Sequence, residues 1–350
     1  MNEWVLLLVV PLLLLPIILL FPFVGCAVIA GLKDPDPAPN SAPQAPPGQV
    51  SPPAQNSPVP TPPVEVLGTP PRYRDYIMGE PNNPGTVKHN NVVPNAANVI
   101  AYWRLVDAPG LSSAKDEKSF QNGQYKEGQA LVFEAPTAAK AGSQAATGDI
   151  LTGQNSLIKS EPSALCRYYN GGYMLVPFKS GMYTDEFTIE AWILPHALTK
   201  DYEYTLFHAG GHYAIPPAPA SDHGFRIFED RNGRWQARLA PATADLFQSP
   251  PLIPRPGRTH LAMTVANETV PGAKKKVTLY LDGKIAQIAT ANSYSRPDNA
   301  PLFIGVMNAT LLPANPAQLR TPVLSHIQEV VIHNKALSLE EIENHVDINR

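Results

Sequence analysis

Hydrophobic and polar positions divide the chain into three regimes. From Trp4 to Leu32 no charged side chain interrupts an apolar run, which exceeds the roughly 20 residues that a bilayer-crossing helix needs. Residues 35–71 show no period at all and hold 14 prolines among Ala, Gln, Ser, Asn and Thr. From about Asn98 onward, short apolar runs are cut by Gly, Pro and Asn, and helical periodicity waits until the last dozen residues. That pattern predicts an all-β fold, an antiparallel sandwich or barrel with a short C-terminal helix.

The individual runs predict elements and faces. In "FTIEAWILP" (187–195), Phe187, Ile189, Ala191 and Ile193 fall on one face of a strand and form a core stripe. Thr188, Glu190, Trp192 and Leu194 take the other face. "VTLYLDGKIAQIA" (277–289) reads as a hairpin about Asp282-Gly283, a pair suited to a type I′ turn. An unbroken register then sets Leu281 opposite Lys284, Tyr280 opposite Ile285, Leu279 opposite Ala286 and Val277 opposite Ile288. Val277, Leu279, Ala286 and Ile288 are therefore expected in the core. "THLAMTVA" (259–266), "PLFIGV" (301–306) and "HIQEVVI" (326–332) are further strands. In "ALSLEEIENHV" (336–346), Ser338 and Glu341 form a capping box and Leu337 and Ile342 a hydrophobic staple, so a helix starts near Leu339.

The implied organisation is a membrane anchor over 1–33, a proline-rich stalk over 34–85 and an antiparallel β domain over 86–350. The stalk favours extended polyproline II, and its last part, 70–85, reads as an irregular transition. Within the anchor, "MNEW" lacks Lys and Arg and carries Glu3, which favours an uncleaved signal-anchor helix over a signal peptide. "FVGC" (23–26) also resembles a lipobox, in which Cys26 would be acylated. Lys33 alone does not set the orientation by charge. The stalk and the domain point to an extracytoplasmic location, at the cell surface or in the periplasm, with the membrane as one partner through residues 4–32.

Composition removes several functions. A net charge of -3 with scattered Lys and Arg offers no basic face for nucleic acid. The two cysteines, Cys26 and Cys166, stand in unlike settings and form neither a CxxC pair nor a zinc spacing. There is no P-loop, dinucleotide fingerprint or GxSxG.

"NVIAYWRLVDAPG" (98–110), "FTIEAWILP", "RTHLAMTV", "VTLYLDGKIA", "APLFIGV" and "HIQEVVIHNKALSLEEI" occur in an order that resembles the laminin-G-like, concanavalin A-like lectin/glucanase superfamily, across residues 98–346. The resemblance implies a jelly-roll β-sandwich of two packed antiparallel sheets, one of them concave, with rim loops that in some members bind calcium or sugar. There are departures: Arg258-Thr259 stands where the family has Trp-His, leaving His260 as the match, and Gln328 replaces an acid in the closing strand. The second change removes a charged oxygen that a hard cation favours. The stretch 133–165 reads as a longer loop than usual.

Carboxylates are the first candidates for chemistry, because hydrolases of this fold set acids on one strand. Glu186 and Glu190 share a face but lie roughly 13 Å apart on an extended strand. Glycoside hydrolysis wants its carboxyl groups about 5–9.5 Å apart. No catalytic residue is therefore assigned. Glu190 with Trp192 remains a candidate ligand-binding pair, a carboxylate beside an aromatic ring being suited to a sugar, against the alternative of a structural strand glutamate. His208, His212, Asp222 and His223 come close in sequence, but the glycines between them argue for turns, and no metal ligand set is assigned. Cys166 reads as a buried thiol. The expected function is a membrane-tethered, non-catalytic module that binds a glycan or a surface protein, with no cofactor beyond calcium at a sandwich rim. A glycan hydrolase or lyase and a structural component of an envelope are the alternatives.

Overall fold

The computed structural model describes residues 72–79, 96–127, 147–195, 203–211, 223–240, 246–248, 257–268, 274–297, 300–308 and 319–349. All lie in the unit Glu65–Arg350. The apolar run 4–32, Cys26 and the proline-rich segment 35–71 fall outside the described residues. Among the described residues no helix is long and apolar enough to cross a membrane.

Helix α1 (Tyr73–Met78) comes first. Strands β1 (Val99–Trp103), β2 (Ser113–Ala114), β3 (Gly123–Lys126), β4 (Asp149–Asn155), β5 (Leu165–Asn170) and β6 (Tyr173–Val176) lead to the nine-residue β7 (Phe187–Pro195). Then follow β8 (Tyr204–Gly211), β9 (His223–Glu229), β10 (Trp235–Leu239), β11 (Leu246–Gln248), β12 (Thr259–Asn267), β13 (Lys275–Leu281) and β14 (Lys284–Ala291). The short β15 (Leu302–Ile304), β16 (Met307–Asn308) and β17 (Leu319–Arg320) precede β18 (Leu324–His333) and helix α2 (Leu339–Asp347).

Two antiparallel sheets form a sandwich. The first runs β14-β13-β12-β7-β18-β5-β4, with β1 also paired to β18, and the second runs β11-β10-β9-β8-β15-β6-β3-β2. Between them Phe187, Ile189, Ala191 and Ile193 of β7 join Phe225 and Ile227 of β9 and Leu302 and Ile304 of β15 in the main core. The alternation of β7 is thus the one its sequence predicts, and burying its apolar face is worth on the order of 2 kcal/mol per large side chain. The outer face of the first sheet carries a second apolar layer. Trp192 and Val331 there pack with Tyr102, with Tyr73, Tyr76 and Ile77 of α1, and with Val346 at the end of α2.

Helix α1 corrects the expectation of an irregular 70–85. Gly79 closes the helix in the left-handed region at φ 60, and its N–H reaches back to Asp75 and Tyr76 carbonyls. Six residues are too few for periodicity to reveal; what holds the helix is the packing of its aromatic face. Residues 149–155, expected within a long loop, form β4 against β5.

The hairpin at Asp282-Gly283 has both turn residues at positive φ, 50° and 79°, as a type I′ turn requires. Its register departs from the expectation after two pairs. Tyr280 opposes Ile285, but Leu279 opposes Gln287 and Val277 opposes Ala289, leaving Ala286 as the extra residue of a bulge. Ile288 is consequently 48% exposed, while Ala286 keeps its expected contact with the core and Ala289 takes the place expected of Ile288. A one-residue slip reverses every later side chain.

At the C-terminus the structure has the expected capping box: Ser338 Oγ accepts from the Glu341 N–H at 3.2 Å, and Glu341 Oε2 accepts from the Ser338 N–H at 2.8 Å. Leu337 and Ile342 both bury against Ala262 and Tyr280. This pins α2 over the outer face of β12 and β13.

Candidate functional site

Glu190 points from β7 onto the outer face of the first sheet, and three neighbouring elements bring histidines to it. On β12, His260 pairs with Trp192 and Ala262 with Glu190, so His260 is the diagonal neighbour of the carboxylate on the same face. On β18 the register shifts between Gln328 and Val331, so that Gln328 opposes Trp192 and Val331 opposes Glu190. Strict alternation after Ile327 would turn His333 into the core; the bulge instead turns it outward beside Glu190. His345 comes from α2, whose staple at Ile342 sets the helix face that meets the sheet.

The resulting cluster is closed. His333 Nε2 lies 2.8 Å from Glu190 Oε1, and His345 Nδ1 lies 2.9 Å from Oε1 and 3.0 Å from Oε2. His260 Nε2 is 3.1 Å from Oε2 but off the line of a hydrogen bond, so neither of its ring nitrogens has a hydrogen-bond partner. Glu190 and His260 have no solvent exposure, and Trp192 has 2%. Tyr73 and Tyr76 of α1 meet the His345 ring edge-on, and Trp192 lies 5.1 Å from the His260 ring. Burial alone would raise the Glu190 carboxyl, yet the charge of His345 and the surrounding histidines hold it well below the usual carboxylate range. Burial lowers His333, whose neutral ring then donates Nε2–H to Glu190.

A second buried carboxyl, Glu329, sits within the β18 bulge at φ 56. It accepts from the Tyr102 hydroxyl and from Arg104 Nε at 3.3 Å, and Arg104 also binds Glu161. Burial pushes Glu329 up to about 7, against the opposing pull of Arg104 and the Tyr102 hydroxyl. Gln328, the residue in place of the family's acid, accepts from the Leu157 N–H at 2.7 Å and so fastens a loop. Arg258, the other departure, holds the Leu157 and Asn349 carbonyls at 2.9 and 3.0 Å.

The same outer face continues two residues further along β18 and β7 as a row. Leu151 opposes Tyr168, Tyr168 opposes His326, and His326 opposes Leu194. The Tyr168 and His326 rings meet at 4.9 Å. Leu151 is 45% exposed and the other three are half-buried.

The remaining candidates are placed as follows. Glu186 accepts from the Asn267 N–H at 2.7 Å. His208 lies within β8, not in a turn, and its Nδ1 accepts from the Asn308 N–H at 3.2 Å. His223 Nδ1 contacts Ser295 Oγ, while His212 and Asp222 fall outside the described residues. Cys166 is a buried thiol that donates to the Asn155 carbonyl, and burial raises it to about 12. The histidines of the cluster escape a sequence reading because they lie 70 to 155 residues from Glu190, on elements whose register depends on a bulge and a helix seat. The match of His260 to the family pattern and the capping box before His345 are the only signals on offer.

The family described as the concanavalin A-like lectin/glucanases superfamily matches residues 169–343, half of the chain. The chain belongs to that superfamily. No curated protein matches the sequence. Among solved structures, domain 4 of AbnA, an extracellular arabinanase from Geobacillus stearothermophilus in complex with arabinotriose, is 17% identical with a TM-score of 0.45, over 72% of this chain and 98% of that one. The binding domain of Paraclostridial Mosquitocidal Protein 1 is 15% identical with a TM-score of 0.44, over 71% and 51%. Trypanosoma rangeli sialidase is 15% identical with a TM-score of 0.47, over 78% of this chain and 36% of that one. The chain thus spans about half or less of the latter two. The superfamily match starts within β5.

Proposed function

We propose that the protein is a membrane-tethered, extracytoplasmic, non-catalytic binding module that engages a glycan on the outer face of its first sheet. The observation that carries the reading is the row Leu151, Tyr168, His326 and Leu194: two adjoining half-exposed rings flanked by apolar side chains on a sheet of a lectin-type fold. Such a platform offers stacking area to a sugar face, with polar ring edges to orient it. Glu190 and Trp192, the pair first considered for this role, lie on the same face but beneath α1 and α2, so the contact surface moves two residues along the strands. The non-catalytic part of the reading is supported by the burial of Glu190 among histidines, which gives that carboxylate no route to a glycosidic bond. The tether is supported by the uncharged run 4–32 and the proline-rich segment after it.

The test is to screen the detergent-solubilised full chain on an array of polysaccharides and cell-surface glycans, measuring reducing-sugar release on each polysaccharide bound. Binding without release supports the reading. Release of sugar overturns its non-catalytic part, and an array without a binder overturns the choice of glycan over protein. Loss of the protein from the membrane fraction without detergent, or survival under protease shaving of intact cells, overturns the location.

A further inference from the structure

We propose that Glu190, His260, His333 and His345 form a site for a divalent transition-metal ion of the zinc class, bound by the chain's own side chains with no open position. Four elements, β7, β12, β18 and α2, each contribute one donor. Ligand atoms of Glu190, His333 and His345 all lie within 4.8 Å of one another. The independent observation is His260: it has no solvent exposure, both ring nitrogens lack a hydrogen-bond partner, and Nε2 is 3.1 Å from Glu190 Oε2. A buried imidazole left unpaired costs about 1–3 kcal/mol, and an ion between it and the carboxylate removes that cost.

The geometry accommodates the ion. A tetrahedral zinc site with ligand bonds of about 2.0–2.2 Å sets its donor atoms roughly 3.3 Å apart. The observed histidine-to-carboxylate separations are 2.8, 2.9 and 3.1 Å; Glu190, His333 and His345 already lie within reach of one ion, and His260, which stands outside that group, completes the site by turning its ring toward them. Three imidazoles and one carboxylate suit zinc, cobalt, nickel or copper and disfavour calcium and magnesium, which take oxygen. With four protein donors, all buried beneath Tyr73, Tyr76 and Trp192, the site leaves no position for a substrate. Its effect is structural: it clamps α2, and with it the seat of α1, to the outer face of the first sheet.

The probes are Zn2+ and Co2+ alone, applied to the full chain after chelator treatment and dialysis. Elemental analysis is expected to find one Zn2+ per chain, Zn2+ is expected to raise Tm, and Co2+ is expected to give the intense visible bands of four-coordinate cobalt, bleached by Zn2+. His260→Ala, chosen because His260 makes no hydrogen bond that the fold would lose, is expected to abolish the cobalt bands while circular dichroism stays that of the wild type. His345→Ala is expected to abolish the cobalt bands as well; should it fail to fold, the wild-type stoichiometry and cobalt spectrum still decide. A folded wild-type chain that takes up no Zn2+ and gives no cobalt bands overturns the proposal, as does a His260→Ala protein whose cobalt spectrum is unchanged.

Discussion

The Tyr102 hydroxyl of β1 donates to Glu329 Oε2 on β18, closing over a carboxyl that has no solvent exposure. Burial raises that carboxyl from 4.5 to about 7, so the folded state holds its proton more tightly than the unfolded chain does. Stability from this group is therefore fully present below about pH 4.5 and is lost as the pH rises toward 7, on the order of 3 kcal/mol in all. Glu329→Gln keeps a hydrogen-bonding side chain and removes the titration. The difference between wild-type and variant unfolding free energies, measured by urea titration from pH 4 to 8, is expected to fall across that window. A flat difference would show that Glu329 titrates normally.

His208 acts in the opposite sense. Burial, and then the Arg226 charge facing it across β8 and β9, lower it from 6.5 to about 3, and its Nδ1 accepts from the Asn308 N–H. The folded state thus excludes a proton that the unfolded chain takes up. Its stability is complete above about pH 6.5 and drains away as the pH falls, at ~1.4 kcal/mol per pH unit. Between pH 4.5 and 6.5 this slope opposes that of Glu329. His208→Gln is expected to flatten the acid limb of the wild-type curve, and an unaltered limb contradicts the assignment.

Much of the fold is legible in the chain because its main signals are local. The alternation of "FTIEAWILP", the Asp282-Gly283 turn and the Ser338–Glu341 box each act within a few residues, and each appears where its pattern places it. What the pattern does not carry is set by long-range packing. The bulge at Ala286 exposes Ile288 although it is the larger apolar side chain, and no residue type in "KIAQIA" announces it. The bulge at Glu329 likewise turns His333 toward Glu190, and α1 is held by aromatic contacts with residues more than 100 positions away. The candidate site was half legible for the same reason: one acid on the right strand and face, with every partner supplied by another element.

Asp116 tests how far one carboxylate organises a segment without regular structure. Buried at 1% exposure, it accepts from the backbone N–H groups of Tyr102, Lys118, Phe120 and Gln121 at 2.8, 3.0, 2.8 and 2.8 Å. Asp116→Ala strands these donors and is expected to cost about 3 kcal/mol or more, while Asp116→Asn, which keeps one acceptor oxygen, costs less. Chemical denaturation of both variants checks the order. Equal stabilities for Ala, Asn and wild type would mean that the loop finds other partners.

Gly210 and Gly224 oppose each other across β8 and β9, at φ 108 and 100. A Cβ on Gly224 would sit 1.9 Å from the Ala209 carbonyl oxygen, and one on Gly210 would sit 1.9 Å from that of His223. Both the backbone conformation and the space therefore demand glycine. Gly224→Ala is expected to cost on the order of 3 kcal/mol and to lower Tm, whereas Gly153→Ala, at φ 74 with nothing within 4 Å, carries the backbone strain alone and costs less. Tm values for the two variants give the comparison, and it fails if Gly153→Ala proves the more damaging.

Tyr168 separates binding from folding. Its ring lies half-exposed on the outer face, opposite Leu151 and His326, while the neighbouring Tyr169 is fully buried in the main core. Truncating Tyr168 removes a stacking surface without opening the sandwich, so Tyr168→Ala is expected to weaken a glycan found on the array by about 3- to 10-fold, the worth of one aromatic contact. Its Tm should stay near that of the wild type. Tyr169→Ala instead opens a core cavity and is expected to cost about 3–5 kcal/mol of stability. Isothermal titration with the glycan, run beside thermal melts of both variants, distinguishes the two effects. Wild-type affinity in a folded Tyr168→Ala protein would remove the row on β4, β5, β18 and β7 from consideration as the binding surface.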